Sequence, residues 1–306
     1  MDLVAEGWGW RHAGRSAWAV RDLSLTIGSG ERVLLLGSSG SGKSTLLHAF
    51  AGVLGGSEEG DESGRLLVGG KHPTRRHGHV GLVMQDPESQ VVLARVGDDV
   101  AFGCENLGVP PDEIWGRVHA SLADVGLDVP LDHSTSALSG GEKQRLAIAG
   151  ALAMRAEVLL LDEPTANLDP VGVREVRETI ARVVDDRRTT LVVVEHRVDI
   201  WADLVDRVLV LAPDGGLLAD GTPAEVFGAH RDELLRAGVW VPGVPLPDAI
   251  AGSASTSPML STRGLSIGYS PRHPVREGLE VVIPEATSTV ITGPNGAGKT
   301  TLALTL

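Results

Sequence analysis

Two glycine-rich stretches each end in a lysine and a hydroxyl. Gly37-Ser38-Ser39-Gly40-Ser41-Gly42-Lys43-Ser44, followed by Thr45, and Gly293-Pro294-Asn295-Gly296-Ala297-Gly298-Lys299-Thr300, followed by Thr301, share the pattern GxxxxGK[ST]. These residue types at this spacing suit the wrapping of a polyphosphate. Glycines let the backbone approach closely and take positive φ. A helix opening at the lysine aims its N-terminus and free N–H groups at the anion. Lys43 brings a positive charge to the outer phosphates, and the hydroxyl of Ser44 is a ligand for Mg²⁺.

Three further clusters carry chemistry. Leu138-Ser139-Gly140-Gly141-Glu142 opens a helical stretch, with Ser139 as a helix cap and a second anion-binding helix end. An apolar run ends in Asp162-Glu163-Pro164, two carboxylates at a strand terminus, where α/β sheets bind their ligands. Gln85 and His196 each follow a strand-like apolar run.

These groups need a frame. Each lysine loop follows a similar stretch, residues 26–36 and 282–292, and Lys43 and Lys299 lie 256 residues apart, so the chain contains an internal repeat. Apolar runs at 80–84, 158–161, 191–194 and 208–211 read as buried strands, with a helical stretch at 112–125. Their rhythm predicts an α/β fold with a mostly parallel sheet. Asp214-Gly215-Gly216 predicts a turn between two short strands. A strand at 290–292 is expected before the second loop. Residues 241–258, rich in Pro, Gly, Ser and Ala, read as a linker.

With Leu138–Glu142, Asp162-Glu163 and the lysine loop in this order, the chain resembles the ATP-binding cassette (ABC) ATPases. The resemblance implies a P-loop NTPase fold, an ABC-type nucleotide-binding domain with a helical subdomain, over 1–240. It makes 259–306 the N-terminal fragment of a second such domain, so the chain is expected to be incomplete. ATP and Mg²⁺ are the implied ligands. Residues 37–45 would bind the nucleotide, with Trp10 stacking on adenine; Trp8 is assigned to the core. Glu163 would be the general base, and His196 and Gln85 would contact the γ-phosphate and the attacking water. Ser44, Gln85 and Asp162 would hold the metal. The signature residues Leu138, Ser139, Gly140, Gly141 and Glu142 would face a nucleotide held by an opposite domain, and Asp169 would cross that interface. In the second copy, residues 293–301 and Tyr269 take the corresponding parts.

Composition narrows the class. A formal net charge of −13 opposes binding to nucleic acid, and a single cysteine, Cys104, excludes an internal disulfide. There is no apolar run of membrane-spanning length. Residues 83–90, 98–108 and 194–197 resemble the ATPases of energy-coupling-factor (ECF) importers. That implies a peripheral protein on the cytoplasmic face of the membrane, partnered by a transmembrane coupling subunit and a substrate-binding membrane subunit. A second ABC domain, in the same longer chain or in another copy, would complete the site. Asp86, Glu88, Asp98 and Asp99 are expected to receive basic residues of the membrane partner. The competing reading is a soluble ABC ATPase of translation or DNA repair. His72, His77 and His79 invite a metal reading, but Lys71, Arg75 and Arg76 beside them oppose a cation, and a solvated hairpin is expected.

Overall fold

The computed structural model describes residues 1–56, 58–185, 188–213, 215–244, 257–270 and 272–306. Asp214 and most of the expected linker, 245–256, lie outside the described residues. The chain forms two units, Met1–Gly243 and Val244–Leu306.

Unit 1 runs β1 (Leu3–His12), β2 (Val20–Ile27), β3 (Arg32–Gly37), α1 (Lys43–Phe50), β4 (Gly60–Val68), β5 (Val80–Val83), α2 (Val96–Asn106), α3 (Pro111–Asp124) and α4 (Gly140–Ala153). It continues with β6 (Val158–Asp162), α5 (Pro170–Val183), β7 (Thr190–Val194), α6 (Val198–Trp201), β8 (Arg207–Leu211), β9 (Leu217–Gly221), α7 (Pro223–Ala229) and α8 (Arg231–Arg236). The main sheet has the order β5-β6-β7-β3-β8-β9, parallel except for β9 against β8. Residues of β6 and β7 are buried at every position, as a parallel strand covered on both faces requires. Because β3, β5, β6 and β7 are parallel, their C-terminal ends reach one edge. That edge carries Gly37, Met84-Gln85, Asp162-Glu163 and Glu195-His196.

A second, antiparallel sheet has the order β2-β1-β4. The core beneath it joins Trp8, Trp10, Leu23 and Phe50 to Leu35, Leu160 and Val192 of the main sheet. Fully burying side chains of this size stabilises the fold by about 1.5–3 kcal/mol each. The helices α2, α3 and α4 pack on one another, and α4 joins them to β5 and α5.

Trp10 departs from its expected place. β1 changes register around Gly7 (φ +56°), and beyond that bulge Trp8 and Trp10, two residues apart, share the core face. The Trp10 indole is 2% exposed, so no base can stack on it in this conformation.

Unit 2 contains β10 (Pro258–Ser261), β11 (Leu265–Ile267), β12 (Arg276–Leu279), β13 (Val282–Pro284) and α9 (Lys299–Thr305), with β10 paired to β13 and β11 to β12. The strand expected at 290–292 does not form, and Val290 is 81% exposed. Its counterpart β3 is bonded on both edges, by β7 and β8; among the described residues no strand pairs with 290–292. A parallel strand without neighbours has no ladder to join.

Candidate nucleotide and hydrolysis site

The lysine loop has the conformation its glycines permit. Gly40 (φ +83°) and Gly42 (φ +90°) are left-handed, and α1 opens at Lys43. Lys43 is 6% exposed, and its Nζ donates to the carbonyls of Gly37 (2.9 Å) and Ser38 (3.0 Å). Burial holds its ammonium below the ordinary lysine range, while Glu163 and Asp162 nearby act in the opposite direction. The Ser41 hydroxyl is buried without a partner. A buried cation bonded only to carbonyls and an orphaned hydroxyl fit an anion seated in the loop.

The second loop repeats this geometry. Gly293, Gly296 and Gly298 have φ of +152°, +76° and +88°, against +152°, +83° and +90° at Gly37, Gly40 and Gly42. Lys299 Nζ donates to Gly293 and Pro294 carbonyls, each at 2.8 Å. The local sequence therefore sets the loop shape even where no sheet has formed around it.

At the strand edge Glu163 is held by two partners. Gln85 Nε2 donates to its Oε2 at 3.0 Å, and His196 Nε2 lies 3.0 Å from its Oε1. Its backbone sits at φ +49°, a conformation that costs a non-glycine residue about 1–3 kcal/mol. Two bonds hold it there: its N–H donates to Val194 O (2.9 Å), and its carbonyl accepts from Ala166 N–H (3.1 Å). Gln85, Glu163 and His196, 78 and 33 residues apart in pairs, thus meet at one point. Asp162, 8% exposed, ends β6 beside them. The hydroxyl of Ser44, the carboxylate of Asp162 and the amide oxygen of Gln85 are hard oxygen donors, the set that suits Mg²⁺.

Ser139 caps α4 in a reciprocal box. Its hydroxyl accepts from the Glu142 N–H (3.3 Å), and Glu142 Oε2 accepts from the Ser139 N–H (2.8 Å). That backbone bond lowers the Glu142 carboxyl from its ordinary value. Asp169 caps α5, accepting from the N–H groups of Val171 (3.1 Å) and Gly172 (2.9 Å).

Beside α1 the ring is His12, not Trp10. His12 Nδ1 accepts from Trp10 Nε1 (3.2 Å), which leaves Nε2 to donate to Thr45 Oγ1 (3.2 Å). In unit 2 the equivalent threonine, Thr301, bonds the Tyr269 hydroxyl at 3.4 Å, and Tyr269 is 85% exposed. Subtracting the repeat offset from 269 points to residue 13, next to His12, so the repeat held a signal for it.

The acidic stretch after Gln85 is engaged within its own unit. Asp86 caps a short turn by accepting from Glu88 N–H (3.0 Å), Glu88 pairs with Lys143, and Asp99 accepts from the N–H groups of Val92 and Leu93. Asp98 stays exposed. Nearby, Val53, Leu82, Met84, Val92, Phe102 and Leu107 line an apolar groove of about 590 Å³. Among the histidines, His72 meets Thr74 and Glu62, and His79 meets Glu157.

The chain is similar to known proteins in sequence and fold. The family described as ABC transporter matches residues 20–166. A putative ABC transporter ATP-binding protein of Methanosarcina acetivorans is 44% identical over 231 residues, covering 74% of this chain and 38% of that protein. An energy-coupling factor transporter ATP-binding protein of Lacticaseibacillus paracasei is 41% identical over 239 residues, covering 76% of this chain and 83% of that protein. The solved structure of cbiO1 from Clostridium perfringens, described as part of the ABC transporter complex cbiONQ, matches with a TM-score of 0.65 at 35% identity. That match covers 77% of this chain and 95% of the other. Unit 1 has the α/β P-loop NTPase fold of an ABC ATPase, and the chain belongs to the ABC transporter ATP-binding proteins. Its match spans little more than a third of the Methanosarcina acetivorans relative.

Proposed function

We propose that the protein binds and hydrolyses ATP to drive a membrane importer of the energy-coupling-factor type. The observation that carries hydrolysis is Glu163, bracketed at 3.0 Å by Gln85 and His196 beside the buried Lys43. Lys43 and the loop N–H groups hold the phosphates. Glu163 takes the proton of the attacking water, oriented by its bond from Gln85. His196 Nε2, 3.0 Å from the same carboxylate, would contact the terminal phosphate. Ser44, Asp162 and Gln85 would hold Mg²⁺, which would supply positive charge against the phosphates. The base is faced by the ring of His12 in place of Trp10.

ECF-type import is favoured by the relatives described as energy-coupling factor ATP-binding proteins and as part of a transporter complex. The cargo would be a vitamin or a transition-metal ion. The apolar groove at Phe102 suits a cytoplasmic helix of the coupling subunit, with Asp86, Glu88 and Asp98 exposed on that side. No helix among the described residues is long and apolar enough to cross a membrane, in keeping with a peripheral subunit on the cytoplasmic face. The matching loop geometry supports unit 2 as the beginning of a second ABC domain. Ser139, with the helix end it caps, and Asp169 would face the nucleotide of an opposite domain.

The test is Glu163→Gln beside Lys43→Ala. Glu163→Gln should retain ATP binding and lower turnover by about 10²–10⁴-fold, the worth of a general base. Lys43→Ala should weaken binding itself. Hydrolysis by Glu163→Gln at the parent rate would remove Glu163 as the base.

A further inference from the structure

Glu195 stands at the end of β7, between Val194 and His196, and is 3% exposed. Its Oε1 accepts from the backbone N–H of Thr165 (3.2 Å) and from the Thr165 hydroxyl. Its Oε2 accepts from the backbone N–H of His196 (3.1 Å). Thr165 is 1% exposed and lies two residues beyond Glu163. One buried carboxylate therefore ties the turn that carries Glu163 to the loop that carries His196.

A carboxylate is an expensive choice for this place. The five residues before it, Thr190–Val194, are buried, and a further apolar side chain would continue that run without taking a charge out of water. All three partners of Glu195 are uncharged donors. What the carboxylate offers is acceptors only, on both oxygens, and stronger bonds than a neutral acceptor makes. It cannot turn a donor toward either N–H. The turn it anchors is the one that holds Glu163 at φ +49°, so that turn needs fixing from more than one side.

We propose that Glu195 is a positioning residue for ATP hydrolysis. It locks the 163–166 turn and the His196 loop into one relative placement, the one in which Glu163 Oε1 meets His196 Nε2. Its carboxylate is taken up by Thr165 and the His196 N–H, behind the reacting groups. The inference rests on the reading of Glu163 as the base, and it adds a residue that acts through Glu163 and His196.

The measurement is single-turnover and steady-state hydrolysis, with nucleotide binding and thermal melting, for Glu195→Gln, Thr165→Val and Thr165→Ser. Glu195→Gln preserves shape but sets an amide NH₂ against the N–H of Thr165 or of His196. Its kcat should fall about 10–100-fold, the scale of a small misplacement at the reacting centre. KM and the nucleotide Kd should stay within about 3-fold of the parent, because Lys43 opens α1 and lies on neither tied segment. Thr165→Val, which loses the hydroxyl but keeps the N–H, should lose about 3–10-fold in kcat by weakening one of the three bonds. Thr165→Ser should restore the parent rate. Placed in a Glu163→Gln background, Glu195→Gln should cost much less than it does in the parent, because the part of its effect that runs through Glu163 is already gone and only the part through His196 remains.

Parent kcat in Glu195→Gln, alongside a collapsed kcat in Glu163→Gln, overturns the positioning role and leaves the base intact. Parent kcat in Glu163→Gln overturns both. A loss of nucleotide affinity equal to the loss of kcat, or an additive loss in the double variant, also overturns the positioning role and leaves Glu195 as a stabilising residue only. Should Glu195→Gln fail to fold, the Thr165 pair decides: equal kcat in Thr165→Val and the parent rejects the inference.

Discussion

Two glycines of the same loop should respond very differently to one methyl group. Gly40 and Gly42 both have left-handed φ, +83° and +90°. An alanine at either pays about 1–2 kcal/mol for that conformation. At Gly40 a Cβ meets nothing within 4 Å; at Gly42 it would lie 2.4 Å from the Ala19 carbonyl oxygen and 2.4 Å from Val20 Cγ2. Neither neighbour is a flexible tip: one is backbone, and Val20 is buried at the start of β2. Relieving that overlap adds about 1–3 kcal/mol. Gly40→Ala should thus cost about 1–2 kcal/mol and Gly42→Ala about 2–5. For a unit of this size each kcal/mol moves the melting point by about 2–4 °C. Melting of the nucleotide-free proteins isolates the effect from any contact between the new methyl and a phosphate. If Gly40→Ala melts as low as Gly42→Ala, crowding by β2 is not what demands glycine at position 42, and the reasoning from space is refuted.

Other outcomes follow from the same geometry. Glu142→Ala should destabilise unit 1 by about 0.5–2 kcal/mol through loss of the α4 capping box. Because the Ser139 N–H lowers the Glu142 carboxyl, that contribution is present above the ordinary carboxylate pKa. It disappears as pH falls through the lowered value, so parent and variant denaturation curves should converge in acid; a constant gap there would contradict the assignment. Lys43, lowered by burial, should regain proton affinity when a polyanion binds, so ATP affinity should fall as pH rises through its free-protein value. Calorimetry in buffers of differing ionisation heat should detect proton uptake in that alkaline window, and none there would disprove the linkage. Phe102→Glu should leave ATP hydrolysis by the isolated chain unchanged and weaken co-purification with a membrane partner. Undiminished co-purification would exclude the groove as the docking site.

Chemistry confined to neighbouring residues was legible from sequence. The lysine loop takes the same φ pattern in both copies, with and without a sheet around it, because its glycines and lysine carry the instructions locally. Ser139 and Glu142 are three residues apart and cap each other for the same reason. The runs at 158–161, 191–194 and 208–211 became β6, β7 and β8 because apolar residues with no polar alternation must be covered on both faces.

The rest depended on what the chain meets after folding. A bulge in β1 carries Trp10 into the core and leaves His12 beside Thr45; the repeat offset points to that neighbourhood, but which ring stays out of the core is decided by the pairing of β1 with β2 and β4. Asp86, Glu88 and Asp99 bond N–H groups and a lysine of their own unit, contacts that residue spacing does not announce, while Asp86 and Glu88 stay exposed. The apolar stretch at 290–292 does not become a strand, because strand identity belongs to the neighbours that complete the ladder. The meeting of Gln85, Glu163 and His196, and the buried carboxylate of Glu195 behind two of them, follows from sheet order. Sequence places each of these residues at a strand end; only the parallel pairing of β5, β6 and β7 brings those ends to one edge, because register across a sheet is set by long-range packing and not by local preference.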